Sequence, residues 1–395
     1  MSHAQETRRR ILVSALALAA ALVVCAGPAR GAEGYPAPAA REVWLWKTAP
    51  HTTPHAPPVV KSLDEMEPPA KPDTADPSKP DSPGSGGTAT KKHTFDGDPV
   101  ICKQLFDLPR DVVLPDGTIN QPSVLGSQKA RLEKTNRIFS TKFRMTETPH
   151  YLIFSDARED ITKTYTQWCE ALYVNLSRQF DVGAKERVWD GKCILMVFAA
   201  PTRYADFAKR ADGFPKDFEF ETHPAYFAFE GYAPGMPQLV HMCFGSSSPN
   251  PQRLQCSLAH EGTHAFLKFY RTAKRIPLWV NEGLAVYMEV VNLPQFRSRW
   301  VNEAQTFARA GTPLAKVLAA GDPTEYVGDY YPVGYSLVDF LIATERTKFK
   351  KFIDAMKDGQ AVDDALQATY GFNLAQMEIA WRQWVPRANL RKQGT

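Results

Sequence analysis

The sequence predicts an α+β protein, a small and mostly antiparallel sheet followed by a mainly helical half. Two observations carry this expectation. Short apolar runs bounded by turn residues cluster between positions 150 and 245, and after Asn250 apolar residues recur at helical spacing almost to the end. Strands first and helices after imply a sheet with a helical layer behind it.

The chain opens with an arginine-rich segment, Arg8-Arg9-Arg10, and an apolar or small-residue run from Ile11 to Ala26 interrupted only by Ser14. Small residues follow (Ala26, Gly27, Ala29, Gly31, Ala32) and offer cleavage points, so residues 1–32 read as an export signal. The run is short for a spanning helix, which needs about 20 residues. Contact with a membrane is expected only through this signal if it stays uncleaved. Thr7 to Leu12 also resembles a twin-arginine signal. Localisation is therefore expected outside the cytoplasm: periplasmic, at the cell surface or secreted.

Much of the chain's proline, 31 residues in all, falls in residues 33–95, which contain Pro57-Pro58, Pro68-Pro69 and Asp81-Ser82-Pro83-Gly84-Ser85-Gly86-Gly87. Apolar residues recur there at no period, so the stretch is expected to be a disordered tether. Five cysteines lie beyond the signal, Cys102, Cys169, Cys193, Cys243 and Cys256. Export permits disulfides, and the candidate pair is Cys243–Cys256 around a Gly/Ser/Pro/Asn loop; buried free thiols are the alternative. A net charge of +4 without a basic, aromatic-interleaved block gives no basis for nucleic-acid binding.

Folded character begins near Thr94. Strands are expected at 150–154, 192–199, 225–229 and 238–244, the last two as a hairpin across Gly231, Pro234 and Gly235. Helical spacing of Ile161, Tyr165, Trp168, Leu172, Leu176 and Phe180 places a helix between the first two strands, and Tyr204, Phe207 and Ala208 mark another.

Asn250 as N-cap and Pro251 at the first helical position start a helix of about five turns. It carries His260-Glu261-Gly262-Thr263-His264. Histidines at i and i+4 project from one face, close enough for two neutral imidazoles to reach one zinc ion at about 2.0–2.1 Å. Glu261 flanks that face, where it can act on a metal-activated water without ligating the metal. Chance predicts roughly 0.01 such pentapeptides in a chain of this composition. Gly262 costs a helix interior about 1 kcal/mol relative to alanine, which implies close packing at that position. Lys274-Arg275 and Pro277 separate this helix from the next, in which Glu282 can complete a His2Glu set with a fourth position open. Such a set suits a catalytic rather than a structural ion.

At Asn281-Glu282-Gly283-Leu284-Ala285 the chain resembles the gluzincin-type zinc metallopeptidases with a peptidase MA-like domain, among them uncharacterised exported bacterial proteins. The resemblance spans roughly residues 145–390, including Phe352-Ile353, Ala365-Leu366, Tyr370-Gly371 and Trp381 to Trp384. It implies a zincin-like domain over 96–395, with a sheet-containing part at 96–250 and a helical part at 251–395. It further implies Zn2+ held by His260, His264 and Glu282, with Glu261 as general base. Asn281 would support a ligand, and Glu289 would brace a ligand imidazole or be a solvated helix charge. Tyr331, in Tyr330-Tyr331-Pro332-Val333-Gly334-Tyr335, would donate to the oxyanion, with Tyr330 and Tyr335 as competitors. No Gly-x-Met-Glu-Asn anchor for a substrate amino terminus is present, which weakens an aminopeptidase reading.

The activity expected is hydrolysis of peptide bonds in a peptide or protein substrate, laid along an edge strand near 238–244. The alternative is an exported surface binding or scaffold protein that retains a structural or vestigial zinc core. A non-peptidase zinc hydrolase is a third reading, for which no sequence feature speaks.

Overall fold

In a computed structural model of the chain, residues 40–44 and 97–390 are described, apart from 184–185, 216–217, 219, 221–222, 232–234, 246–249 and 322–324. The export signal and nearly all of the expected tether lie outside these residues. The exception is Ala40–Trp44, which forms strand β1 rather than part of the tether. Among the described residues, no helix is long and apolar enough to cross a membrane.

The fold is α+β. Two helices that the sequence reading did not anticipate come first, α1 (Pro99–Phe106) and α2 (Gln121–Phe139), followed by β2 (Arg144–Glu147) and β3 (Tyr151–Ser155). Helix α3 (Glu159–Phe180) leads to β4 (Cys193–Phe198), and α4 (Pro201–Ala211) leads to the hairpin β5 (Ala225–Gly231) and β6 (Leu239–Gly245). The helical half then follows: α5 (Pro251–Phe269), α6 (Leu278–Asn292), α7 (Arg297–Arg309), α8 (Ala315–Ala319), α9 (Tyr330–Thr344), α10 (Arg346–Asp358), α11 (Val362–Tyr370) and α12 (Leu374–Trp384).

The six strands run in the order β1-β5-β6-β4-β3-β2. Pairings β1–β5, β5–β6 and β2–β3 are antiparallel, whereas β6–β4 and β4–β3 are parallel. Strands β3, β4 and β6 are buried along their whole length, which is why they read as continuous apolar runs rather than as alternating ones. Both faces are covered. Ile153, Leu195, Phe227, Val240 and Met242 pack with residues of α3 and α5 on one face. Leu152, Ile194, Met196, Tyr226 and Cys243 pack with residues of α1, α2 and α4 on the other.

Two expectations fail on the geometry of β6. Residues 238–244 do not form an edge strand, because β6 lies between β5 and β4. The Cys243–Cys256 disulfide is absent, and all five cysteines are free thiols. Side chains alternate along a strand. Cys243 therefore points into the α1/α2/α4 layer, while Cys256 sits on α5 across the sheet.

Candidate metal centre

Asn250 caps α5 as its sequence implies, its side chain accepting from the backbone N–H of Gln252 at 3.0 Å and of Arg253 at 3.3 Å. The helix enters the core soon after, and every residue from Cys256 to Leu267 is buried. Gly262 is there for room. A Cβ at that position would lie 2.4 Å from Cδ2 of Leu172 on α3, which supplies the close neighbour that the glycine implied.

His260 and His264 lie one turn apart, ring centroids 4.7 Å apart and nearly perpendicular. From α6, Glu282 meets both. Its Oε2 is 3.4 Å from His260 Nε2, and its Oε1 is 3.5 Å from His264 Nε2. Those separations exceed a hydrogen bond. They match the distance between two ligands of a tetrahedral zinc ion, about 3.4 Å for bonds of about 2.0–2.1 Å. His260 Nε2 and both Glu282 oxygens are buried with no hydrogen-bond partner, a costly arrangement unless a cation satisfies them. The three residues are close enough to hold one metal ion, their donor atoms all lying within 4.8 Å of one another. Donor chemistry and spacing both fit zinc.

Glu289 stands two turns beyond Glu282 on α6 and reaches the far side of the His260 ring, with Oε1 2.7 Å from Nδ1. It is buried rather than solvated. The Asn281 side chain lies near His264. Burial and the His260 charge depress the His264 pKa, the Asn281 amide opposing them, so the ring is held neutral. Glu261 is fully buried beside the ligands, with neither oxygen in a hydrogen bond. Burial pushes its carboxyl up to about 8; the His260 charge opposes this and the Glu282 charge adds to it. The backbone of Phe227 on β5 lies near enough to stabilise the ionised form, and the Phe227 ring tilts over His264 at 5.7 Å. Strand β5 is thus one wall of the centre.

The three tyrosines of α9 separate by environment. Tyr331 is buried, and its phenol is held well above its usual range by burial and by the charges of Glu282, Tyr326, Glu261 and Glu289. Tyr335 is buried elsewhere, in the field of Asp339 and Arg297 and stacked on Tyr287 at 6.4 Å. Tyr330 is half-buried and meets Tyr326 edge-on.

Sequence reasoning missed three contributors. Tyr326 packs edge-on against Tyr331 at 5.0 Å and donates to the Tyr330 carbonyl at 3.0 Å. The Cys256 thiol, one turn before His260, lies against Glu289, and burial and that neighbouring carboxylate hold its pKa up. The glycine of the Asn-Glu-Gly string marks a helix crossing, since a Cβ on Gly283 would lie 2.3 Å from the carbonyl oxygen of Gly334 on α9. Only this last had a signal in the sequence, a glycine in each of two apolar helices.

A buried His2Glu set with a carboxylate beside it is the donor arrangement that a metal-dependent hydrolase would use. Residues 240–387, from β6 through α12, match the family model described as Peptidase MA superfamily. That match takes in every residue of the centre except the Phe227 wall, and it supports a peptidase of the MA family. Among curated proteins, none matches the chain.

Proposed function

We propose that this chain is an exported zinc-dependent peptidase of the gluzincin type, acting on peptide or protein substrates. The observation that carries the reading is the convergence of two imidazole Nε2 atoms on one carboxylate, at 3.4 and 3.5 Å, beside the buried and unpaired Glu261. His260, His264 and Glu282 would hold the ion. Zinc, when bound, supplies a Lewis acid that polarises the scissile carbonyl and acidifies water.

The chain's own residues supply the rest. Glu261 takes the proton of the attacking water and returns it to the leaving amine nitrogen. Its raised pKa suits both halves of that cycle, since it can be ionised to accept and neutral to donate near neutral pH. Tyr331 stays protonated among three carboxylates and donates to the developing oxyanion. Glu289 fixes the His260 ring through Nδ1, and Asn281 holds His264. β6 and β5 are both interior, so an extended substrate adding to the sheet beside the centre would take the place of β1 on β5, whose residue Phe227 touches the centre.

The test is purified full-length Glu261→Gln, assayed on a quenched peptide library with zinc measured in parallel. Zinc should stay at the wild-type stoichiometry while turnover falls about 10²–10⁴-fold. Retained turnover would remove Glu261 as the base. A wild-type chain with zinc bound but no turnover on any peptide would favour a binding protein with a vestigial centre.

A further inference from the structure

We propose that Tyr326 is a positioning residue: from the loop between α8 and α9 it holds the Tyr331 ring in the one place from which its phenol serves the metal centre. The proposal rests on the oxyanion role given to Tyr331 above. In the stretch that leads into α9, Glu325, Val327, Gly328 and Asp329 are exposed, whereas Tyr326 is only 2 % exposed. Ordering a loop costs conformational entropy, and here one buried aromatic side chain is what offsets it. The loop is pinned at Tyr326.

Two contacts fix the pin. Its ring meets the Tyr331 ring at 85° with centroids 5.0 Å apart, the edge-to-face arrangement that aromatic pairs prefer. Its hydroxyl donates to the Tyr330 carbonyl at 3.0 Å, in the first turn of α9. Burial and the Glu282 charge hold the Tyr326 phenol well above its usual range, so it stays a donor to that carbonyl. Gly334 leaves the space, since a Cβ there would collide with the Tyr326 hydroxyl. One side chain thus grips both the ring of Tyr331 and the backbone of the turn that carries it.

Tyr331 needs such a grip. It is the second residue of α9, so no preceding helical turn restricts its rotamer. The N-cap residue, Asp329, makes no side-chain capping bond, and the first turn lacks that anchor as well. Displacing a catalytic group by about 1 Å can cost about 10²-fold in rate. Without Tyr326, the phenol would be free to leave the position that faces the oxyanion.

Full-length Tyr326→Leu, Tyr326→Phe, Tyr331→Phe and the Tyr326→Leu/Tyr331→Phe pair are assayed on peptides that the wild type cleaves, with zinc measured on each. Tyr326→Leu should lower kcat about 10–10²-fold with KM and zinc content little changed. In the Tyr331→Phe background the same change should cost almost nothing, because no hydroxyl is left to position. Tyr326→Phe keeps the ring contact and should recover most of the loss. An equal loss in both backgrounds, or zinc lost along with kcat, would mean that Tyr326 only supports the fold, and overturns the proposal. A second measurement needs no turnover. With 3-fluorotyrosine at position 331, fluorine NMR should give one sharp line when Tyr326 is present and a broadened or split line in Tyr326→Leu. A line that shifts but stays single and sharp overturns the proposal too. A zinc-loaded wild type that cleaves no peptide, while the line broadens as expected, would remove the peptidase reading and leave the positioning by Tyr326 standing.

Discussion

Glu289 Oε1 sits 2.7 Å from Nδ1 of His260, so a proton held between them leaves the Nε2 lone pair facing Glu282. Glu289→Gln keeps the shape and loses the charge, and should weaken zinc binding about 10–100-fold. Competition against a fluorescent chelator reads this directly, and unchanged affinity would mean that something else orients the ring. That His260 and His264 share a face was legible in the sequence because i, i+4 spacing on a capped helix dictates it, whereas the approach of Glu282 depends on how the next helix packs. The braces were less so, because spacing places Glu289 on the Glu282 face of α6 without saying which ring that face meets. Tyr331 could not be separated from Tyr330 and Tyr335 by spacing alone. The separation is electrostatic: only Tyr331 lies in the field of Glu282, Glu261 and Glu289 together. Tyr331→Phe should lower kcat about 10²–10³-fold with little change in KM. Tyr335→Phe, which leaves the centre untouched, should alter kcat little, and the reverse ranking would reassign the oxyanion donor.

Helices α6 and α9 cross where Gly283 faces Gly334, and α5 meets α3 where Gly262 faces Leu172. The two glycines look alike in sequence and differ in what a methyl group would strike. At Gly283 the obstacle is a backbone carbonyl 2.3 Å away; at Gly262 it is the tip of a leucine side chain. Gly283→Ala should therefore cost about 1–3 kcal/mol and pull Glu282 from its position, lowering zinc affinity as well. Gly262→Ala gains about 1 kcal/mol of helix propensity and should come out nearly neutral. Chemical denaturation of the two variants tests the ranking. The end of α5 is held by buried Lys357 of α10, whose ammonium donates to the carbonyls of Leu267 at 2.7 Å, Lys274 at 2.8 Å and Lys268 at 3.3 Å. Burial and the Lys268 charge push its pKa down to about 7. The unfolded chain holds that proton up to about 10.4, so between these values the unfolded state binds more protons. Stability then rises with pH across that window from this group. Lys357→Met should remove that part of the slope and cost about 1–3 kcal/mol by orphaning the carbonyls. Denaturation midpoints at pH 7 and 9.5 measure both effects.

Across the whole molecule, the strand, helix, strand and hairpin order was legible because β3, β4 and β6 are buried throughout and mostly apolar, and turn residues bound them. The order of the strands in the sheet was not. Pairing depends on contacts far apart in sequence, and a run such as Leu239–Gly245 reads the same at an edge as in the interior. With β6 inside, the strand that walls the centre is β5, and β5 is itself covered on its outer side. Ala40–Trp44 pairs antiparallel along it, from Ala40 opposite Gly231 to Trp44 opposite Phe227, the residue that walls the metal centre. A substrate strand adding at β5 would compete with β1 for the same backbone groups. Proline has no N–H and cannot complete such a ladder. Successive N–H groups in a strand point to opposite sides, so proline at both Glu42 and Val43 must remove one that faces β5. The full-length Glu42→Pro/Val43→Pro chain should therefore cleave extended peptides with a lower KM than wild type, with zinc content unchanged and faster hydrogen exchange along β5. Faster exchange without a change in KM would mean that β1 only covers an edge and that substrate enters elsewhere.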